Sequence, residues 1–460
     1  MREMRPRHIV CFIAACLVLL GGLCTVYEFA QPVFGSLRWV PISDFLPNRS
    51  KAPLDTIGGI DIIESPTDTL ENLACADTIT IPETAGSDSA KTDTVKTEAP
   101  KPVVPAKKAL DAFIEALAEA DTKQVRVVHY GDSQIEEDRI TATLRRNLQA
   151  IYGGGGPGLL PLQQTIPTRT VKQMLFIDDV KVTSKTGPQR YIVYGPKNQQ
   201  RESNLYGPLG QVALMDTALR KGSDTIVMRV EPFGKLTSAN YFNQVRVLKT
   251  DSIAVNGRSV SILSFPDSCK DCTLEFIGQG EIYGVSLETK TGVIVDNVPM
   301  RGGSGNVFTK INAQQLTEFY RATNTRLIIL QFGGNVMPWA DSPERVRSYA
   351  YSMRKQIRYL QTCAPQASIL FIGPSDMTTV VDGEKGTYPM LPYMDEQLAR
   401  AAAAEGIAYW SLYQAMGGWN SMMDWYEKGL ASSDGVHFMQ SGANKAGNML
   451  WKWLEKKINQ

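Results

Sequence analysis

The sequence predicts an α/β protein whose parallel sheet is interrupted by a β-rich stretch and preceded by an N-terminal membrane helix. Three observations predict this class: an apolar run near the N-terminus, two separate regions in which strands alternate with helices, and short β-type segments between those regions. Strands that alternate with helices are typical of a parallel sheet covered by helices on both faces. We therefore interpret the β-rich stretch as an insertion within one α/β domain.

The N-terminus has the features of a transmembrane signal anchor. An apolar run extends from Ile9 to about Tyr27, and several arginines precede it. Roughly 18–19 apolar residues can span the hydrocarbon core as a helix, and positive charges before a span keep that end in the cytoplasm. Residues 1–30 are therefore predicted to anchor the chain in the inner membrane, with the folded body in the periplasm or cell envelope. Cleavage of this segment, which would release a secreted protein, and lipidation at Cys16 are the alternatives.

Composition limits the partners and cofactors. The formal net charge is +1, which gives no reason to expect a nucleic acid. Residues 31–107, rich in Thr, Pro, Asp, Ser and Lys over most of their length, predict a disordered linker. Cys269 and Cys272 could form a local disulfide or remain reduced. No second cysteine pair or other cluster has metal-ligand spacing, so neither a metal nor another cofactor is expected.

Residues 108–165 form the first part of the predicted α/β domain. A helix is predicted over residues 109–120 from its helical spacing, and a strand over the mostly apolar residues 125–130. A second helix is predicted over residues 136–150, because its apolar residues repeat every four positions. A glycine run at 153–158 follows. It lacks the Lys-Ser/Thr of a phosphate-binding loop, and we interpret it as a loop near the rim of the functional site.

Residues 166–290 form the predicted insertion, which has no helical periodicity. Short alternating segments bounded by turn signals such as Asn256-Gly257 are typical of a β-sandwich. The predicted strands cover residues 171–177, 190–194, 225–230, 244–248, 259–263 and 273–277.

Residues 291–460 return to the alternation of strands and helices. Strands are predicted at 325–332, 367–372 and 407–412, and helices at 343–362, 394–404 and 441–458. Both parts together predict one parallel sheet.

Ser133 is the candidate nucleophile, because it follows a buried strand and precedes a helix. Catalytic groups in open α/β sheets collect at the carboxyl ends of strands, and the N–H groups of a following helix can stabilise an oxyanion. A serine in this place can equally be an ordinary helix cap. The tripeptide Gly131-Asp132-Ser133 alone therefore does not establish catalysis.

His437 is the candidate base. The chain has three histidines, of which His8 lies at the membrane and His129 inside a strand. Asp434 precedes His437 by three residues, and on a tight loop this spacing lets a carboxylate bind Nδ1 and leave Nε2 free as the base. A loop aspartate unrelated to the histidine is the alternative.

Oxyanion donors other than the nucleophile's own N–H are expected at two further strand ends. The side-chain amide of Asn335 follows the strand at 325–332. Gly302 lies in a loop after another apolar strand, where a glycine lets backbone N–H groups approach a substrate closely. Each glycine could also be a simple turn. Trp339, just after Asn335, could stack on a sugar or belong to ordinary loop packing.

Ser133, Gly302, Asn335 and His437 occur in this chain order, each at a strand end or in the loop before the last helix. This order resembles the four blocks of the SGNH (GDSL-like) hydrolase superfamily. The resemblance covers roughly residues 108–165 and 285–460, and implies a three-layer, flavodoxin-like parallel sheet.

The resemblance also implies a serine esterase and the roles of its residues. Ser133 would be the nucleophile, His437 the base and Asp434 the residue that orients it. The oxyanion would be bound by the backbone N–H groups of Ser133 and Gly302 and by the Asn335 side chain.

Segment 129–134 (His-Tyr-Gly-Asp-Ser-Gln) is similar, more narrowly, to the envelope peptidoglycan O-acetylesterases of this superfamily. Those enzymes carry a β-sandwich, carbohydrate-binding-like module between their first and second blocks, where the β-rich stretch lies here. The implied substrate is an O-acetylated polysaccharide, with peptidoglycan foremost. Gln134 departs from the family, which usually has His there, and we expect its amide to hydrogen-bond substrate. The alternatives are esters of other glycans, acetyl transfer by the same triad, and an inactive glycan-binding protein.

Overall fold

The computed structural model describes residues 106–161, 168–177, 180–182, 213–215, 225–232, 241–250, 258–277, 280–381 and 383–460. The predicted membrane anchor, nearly all of the linker and the strand predicted at 190–194 lie outside these residues. Within the described ranges, no helix combines the length and apolar character needed to cross a bilayer.

The central sheet has five parallel strands in the order β11-β1-β12-β13-β16. All residues of β1 and of β13 are buried, as expected for strands that are covered on both faces. Because the strands are parallel, their carboxyl ends meet along one edge of the sheet. The strands are β1 (Gln124–Gly131), β11 (Gly292–Pro299), β12 (Thr325–Gln331), β13 (Ser368–Ile372) and β16 (Ala408–Trp410).

Helices cover both faces of this sheet. Side chains alternate along a strand, so β1 sends Val127 into one apolar cluster and Val128 into the other. The first cluster contains residues of α1 (Ala106–Leu117), α2 (Arg139–Tyr152), α6 (Leu412–Met416), α7 (Ser421–Glu427) and α8 (Gln440–Ile458); the second contains residues of α3 (Ala313–Ala322), α4 (Pro343–Cys363) and α5 (Leu391–Ala404). The predicted three-layer α/β fold is confirmed.

The segment after Ser133 differs from the prediction of a helix beginning near residue 136. A 3-10 turn runs over Ser133–Asp138, and Glu137 (φ 59°) and Asp138 (φ 62°) have left-handed backbones. Such a conformation is unfavourable for residues with a Cβ. Here Asp138 accepts hydrogen bonds from the buried Arg145 guanidinium, and Arg169 pairs with Glu137 at 2.8 Å. These ion pairs stabilise the turn and delay the start of α2 to Arg139.

The β-rich stretch forms two antiparallel sheets. One has the order β2-β10-β7-β8, with β5 also pairing with β10, and the other has the order β4-β3-β6-β9. A single apolar cluster includes Val247 from the first sheet and Val230 from the second. The strands are β2 (Gly158–Leu160), β3 (Val171–Ile177), β4 (Val180–Val182), β5 (Ala213–Met215), β6 (Thr225–Pro232), β7 (Phe242–Thr250), β8 (Arg258–Cys269), β9 (Cys272–Ile277) and β10 (Gly280–Glu288).

Several of these strands were expected, whereas β2, β4, β5 and β10 were not. Strand β2 pairs with β10, although it lies before residue 166, the predicted start of the insertion. The boundaries of the insertion, its arrangement as a sandwich and its carbohydrate-binding role remain predictions.

The glycine run after α2 begins at the amino edge of the parallel sheet, whereas the sequence predicted it at the carboxyl edge, near the functional site. The Val293 N–H donates to the Gly153 carbonyl at 3.0 Å, and a Cβ on Gly154 would come within 2.3 Å of the Val293 carbonyl oxygen. Val293 is the second residue of β11, whereas Ser133 follows the carboxyl end of the parallel strand β1. The expectation of a loop at the rim of the site was therefore wrong, and glycine is required because two backbones touch.

A buried charged network joins the parallel sheet to the antiparallel sheet that contains β10. Arg126 on β1 donates to Asp296 on β11 at 2.6 and 2.9 Å, and to Ser286 on β10 at 3.2 Å. It also contacts Glu288 on β10, and Arg246 on β7 donates to Glu288 at 2.9 Å. Burial alone would raise the pKa of Glu288, but the two arginines hold it below its usual value.

Candidate active site

Ser133 is the first residue of the 3-10 turn that follows β1. Asp132 caps this turn, since its Oδ1 accepts the Gln134 N–H at 3.0 Å. The preceding Gly131 leaves little room, because a Cβ there would lie 3.0 Å from the Ile135 side chain and 3.2 Å from the Gln331 carbonyl oxygen. The local sequence thus turns the chain sharply at the carboxyl edge of the sheet.

The structure brings Ser133, His437 and Asp434 together. The Ser133 hydroxyl donates to His437 Nε2 at 2.8 Å, and His437 Nδ1 donates to Asp434 Oδ2 at 2.8 Å. A carboxylate that accepts from Nδ1 fixes the tautomer in which Nε2 is free to take a proton. The geometry is that of a nucleophile, a base and an orienting acid.

The carboxylate of Asp434 is itself held in place. Its Oδ1 accepts the N–H groups of Val436 at 2.9 Å and of His437 at 3.0 Å. Partial burial acts to raise the pKa of Asp434, but the hydrogen bonds from His437 and Val436 outweigh it and hold the pKa below its usual value. The group therefore remains an anion near neutral pH.

His129, the other described histidine, has a structural environment. Its ring is fully buried and hydrogen-bonded to Gln331 at 3.2 Å and to Thr141 at 2.9 Å. Burial lowers its pKa to about 3. It is therefore unavailable as a base.

A small hairpin supports the loop that carries Asp434 and His437. It consists of β14 (Thr378–Val381) and β15 (Glu384–Thr387). The Thr378 N–H donates to the Gly435 carbonyl at 2.9 Å. Gly435 has φ +70°, and a Cβ there would come within 1.9 Å of Thr378 Oγ1. This hairpin was not predicted, because the sequence around it contains no signal that relates it to residue 435.

Gly302 lies in a loop that is attached to the end of β1. The Met300 N–H donates to the Gly131 carbonyl at 2.7 Å, and Arg301 donates to both carboxylate oxygens of Glu136 at 2.7 and 2.8 Å. Gly302 has φ +71°, with open space where a Cβ would lie. Within the part of the chain that the structure describes, its N–H has no hydrogen-bond acceptor.

Asn335 belongs to the 3-10 turn Gly334–Val336 that follows β12. Its Nδ2 donates to the Gly303 carbonyl at 3.2 Å. One N–H of the amide therefore fixes the side chain beside the Gly302 loop, and the second remains for another acceptor. Both predicted oxyanion donors lie in adjoining loops at the carboxyl edge, and their catalytic roles remain predictions.

Gln134 and Trp339 have contrasting environments. Gln134 is 6% exposed, and its amide nitrogen is already bound to protein acceptors. Its amide nitrogen is therefore engaged within the protein, and the expected contact of Gln134 with substrate remains a prediction. Trp339 is 68% exposed on the loop after Asn335, where a ligand could reach it.

Cys269 and Cys272 are free thiols. Among the residues with described positions, no group of three metal-binding side chains forms.

Comparison with solved structures identifies the fold. A peptidoglycan O-acetylesterase matches with a TM-score of 0.59 and 20% identity, covering 77% of this chain and 96% of its own. Shorter matches include the acetyl xylan esterase AlAXEase (12% identity, 35% of this chain, 81% of that one, TM-score 0.28). Another is the acetylxylan esterase Axe2 from Geobacillus stearothermophilus (16% identity, 37% and 74%, TM-score 0.26).

No protein-family model and no curated protein matches the sequence. The chain has a three-layer α/β fold with a parallel sheet, and it shares its fold with the peptidoglycan O-acetylesterase over 77% of its length.

Proposed function

We propose that this protein is a serine esterase that removes acetyl groups from O-acetylated glycans. The hydrogen-bonded chain from Ser133 through His437 to Asp434, with 2.8 Å at each step, is the observation that carries the proposal. A serine hydroxyl is a weak nucleophile until an adjacent base removes its proton. This arrangement supplies such a base and holds it in the required tautomer.

The reaction proceeds through an acyl-enzyme. Ser133 Oγ forms a bond to the ester carbonyl carbon as its proton passes to His437 Nε2, and the carbonyl electron pair moves onto oxygen. The intermediate collapses when the bond to the sugar oxygen breaks and His437 protonates that oxygen. A water molecule, deprotonated by His437, then attacks the acetyl-serine, and acetate leaves as Ser133 regains its proton.

The negative oxygen of each tetrahedral intermediate needs hydrogen-bond donors. We assign the Ser133 and Gly302 N–H groups and the Asn335 side-chain amide to this role. The Gly302 N–H, which has no acceptor among the described residues, and the fixed position of Asn335 support the assignment. Donors that are held in place before reaction stabilise developing charge most effectively.

Acetylated peptidoglycan is the substrate we propose. The base and its partner lie near the surface, with 34% of the His437 side chain and 46% of the Asp434 side chain exposed. Such an open site suits an ester carried on a bulky polymer. The match to the peptidoglycan O-acetylesterase covers 77% of this chain. Residues 108–165 and 291–460, the two parts of the predicted α/β domain, together make up a smaller share of the chain. The likeness therefore extends into the inserted sheets, to which we assign glycan binding.

A position in the cell envelope would bring the site to this polymer. The predicted anchor at residues 1–30 and the linker at 31–107 would tether the catalytic body to the inner membrane, within reach of the glycan. This topology is part of the proposal.

The test compares Ser133→Ala and His437→Ala with the unmodified full-length protein in detergent. Hydrolysis of p-nitrophenyl acetate and release of acetate from O-acetylated peptidoglycan are the two measurements. Each substitution is expected to lower kcat by up to about 10⁶-fold, because triad members act as a unit. Ser441→Ala, an exposed serine on α8, is the matched control and should leave both rates unchanged.

Unchanged hydrolysis in Ser133→Ala would contradict the mechanism. Activity on the small ester alone would retain the esterase and remove peptidoglycan as its substrate. Faster consumption of acetyl groups when an acceptor glycan is added, without matching acetate release, would indicate transfer.

A further inference from the structure

The buried side chain of Gln134 connects three segments at the carboxyl edge of the sheet. Gln134 directly follows Ser133, and its Nε2 donates to the Val436 carbonyl at 2.5 Å and to Ser375 Oγ at 3.0 Å. Ser375 lies just beyond β13, and Val436 immediately precedes His437. One amide group thus joins the turn of the nucleophile, the segment that follows β13 and the loop of the base.

The peptide bond between Val436 and His437 is held from both sides. Gln134 binds its carbonyl oxygen at 2.5 Å, and Asp434 Oδ1 accepts its N–H at 3.0 Å. This peptide leads directly into the Cα of His437. Fixing it restricts where the imidazole can lie relative to Ser133 Oγ.

The chemistry of the contact requires a hydrogen-bond donor. Val436 offers a carbonyl oxygen, which only accepts, and a glutamine amide has two N–H bonds to share between Val436 and Ser375. Gln134 Oε1 has no partner among the described residues and is buried. The amide nitrogen, rather than its oxygen, therefore makes the connection.

We infer that Gln134 is a positioning residue, which holds the loop of His437 at hydrogen-bonding distance from Ser133. The inference rests on the proposed esterase function and adds to it a residue that acts through the base, without touching substrate. Similar esterases usually have histidine where this chain has Gln134. The inference is compatible with either residue, because a glutamine amide and a histidine imidazole can both donate a hydrogen bond.

The principal test is Gln134→Leu in the full-length protein, assayed with p-nitrophenyl acetate. We expect kcat per folded molecule to fall about 10- to 100-fold, because a small displacement of a catalytic group is costly, while KM stays unchanged. Gln134→His should recover most of the lost rate, because its imidazole N–H can replace the amide donor.

Gln149→Leu is the matched control. Gln149 is also a buried glutamine whose Nε2 donates to two backbone carbonyls, Gly156 at 3.4 Å and Val293 at 3.1 Å, but at the opposite edge of the sheet. Its substitution should lower Tm and leave kcat per folded molecule unchanged.

Hydrogen exchange supplies a measurement that does not depend on activity. The His437 amide should exchange faster in Gln134→Leu than in the unmodified protein, and at an unchanged rate in Gln149→Leu. If the unmodified protein hydrolyses no ester, the proposed function fails, while the exchange rates still decide whether Gln134 holds the loop.

Three results would overturn the inference. The first is an unchanged kcat in Gln134→Leu together with a lower Tm, as in the control. The second is a higher KM for acetylated glycan with an unchanged rate on the small ester, which would indicate a substrate contact. Should Gln134→Leu fail to fold, Gln134→Met keeps the approximate shape of the side chain and removes the donor, and full activity in that variant would be the third.

Discussion

Asp132, the middle residue of the Gly-Asp-Ser tripeptide, has an unusual ionisation. Its carboxyl is 4% exposed and caps the turn of Ser133 through Gln134. Burial raises its pKa from 3.8 to about 6, against the opposing effects of its hydrogen bonds and of His437. A carboxyl whose pKa is higher in the folded state favours folding while protonated. That contribution is complete below pH 3.8 and is lost as the pH rises through about 6.

Asp132→Asn should remove this pH dependence, because the amide cannot ionise and can still accept the Gln134 N–H. Relative to the variant, the unmodified protein should lose about 3 kcal/mol of unfolding free energy as the pH rises from about 3 to about 7. Urea denaturation of both proteins at several pH values measures this difference. Stability curves that run parallel across the range would contradict the prediction.

The three residues of the candidate triad could be predicted from the sequence, whereas the contacts that hold them in place could not. Ser133, Asp434 and His437 could be chosen because histidine is scarce and Asp434 has the right spacing. For Gln134 the sequence predicted a contact with substrate, which remains a prediction, and gave no sign of its hydrogen bonds to Val436 and Ser375. Those hydrogen bonds depend on how two distant loops meet, and no local pattern encodes them.

At the scale of single elements, most helices and strands follow their predicted positions because hydrophobic periodicity is a local property. Strand β1 is a clear case, since its predicted apolar run is buried throughout. The start of α2 was not predictable, because Arg145 and Arg169 stabilise the left-handed turn before it. Strand β10 was missed, and it pairs with β2 and β7, which lie far from it in sequence.

The contact between α2 and α8 depends on a glycine. A Cβ on Gly447 would lie 2.7 Å from the Thr143 Cβ and 3.0 Å from the Ile140 carbonyl oxygen. Gly447→Val should therefore force the helices apart and lower the unfolding free energy by roughly 1–3 kcal/mol. Lys452→Val, which places the same side chain on the exposed face of α8, is the control and should cost at most about 0.7 kcal/mol. Equal effects in urea denaturation would show that the helix contact tolerates the added side chain.

At the scale of the whole molecule, the buried Arg126 network connects two kinds of sheet. Removing Arg126 leaves Asp296 buried without its cation and leaves Glu288 with Arg246 as its remaining cation. Arg126→Met should therefore lower the unfolding free energy by about 3–5 kcal/mol. Arg400→Met is the matched control, because Arg400 is 67% exposed in its pair with Glu396 and should contribute at most about 1 kcal/mol.

The same substitution tests whether the sheets unfold together. The unmodified protein should show a single calorimetric transition for the described body, and Arg126→Met should separate it into two. A single transition in both proteins, shifted equally by Arg126→Met and Arg400→Met, would contradict a coupling role for the network.

The pairing of β2 with β10 has a consequence for how this architecture can change over evolutionary time. Leu160 on β2 lies opposite Val285 on β10. The chain therefore leaves the α/β part through β2 and returns to it through β10, and these two strands are neighbours. Recombination can replace a segment whose ends are adjacent without altering the order of the surrounding strands. The intervening segment can then be exchanged while the parallel strands that position Ser133 and His437 are inherited unchanged.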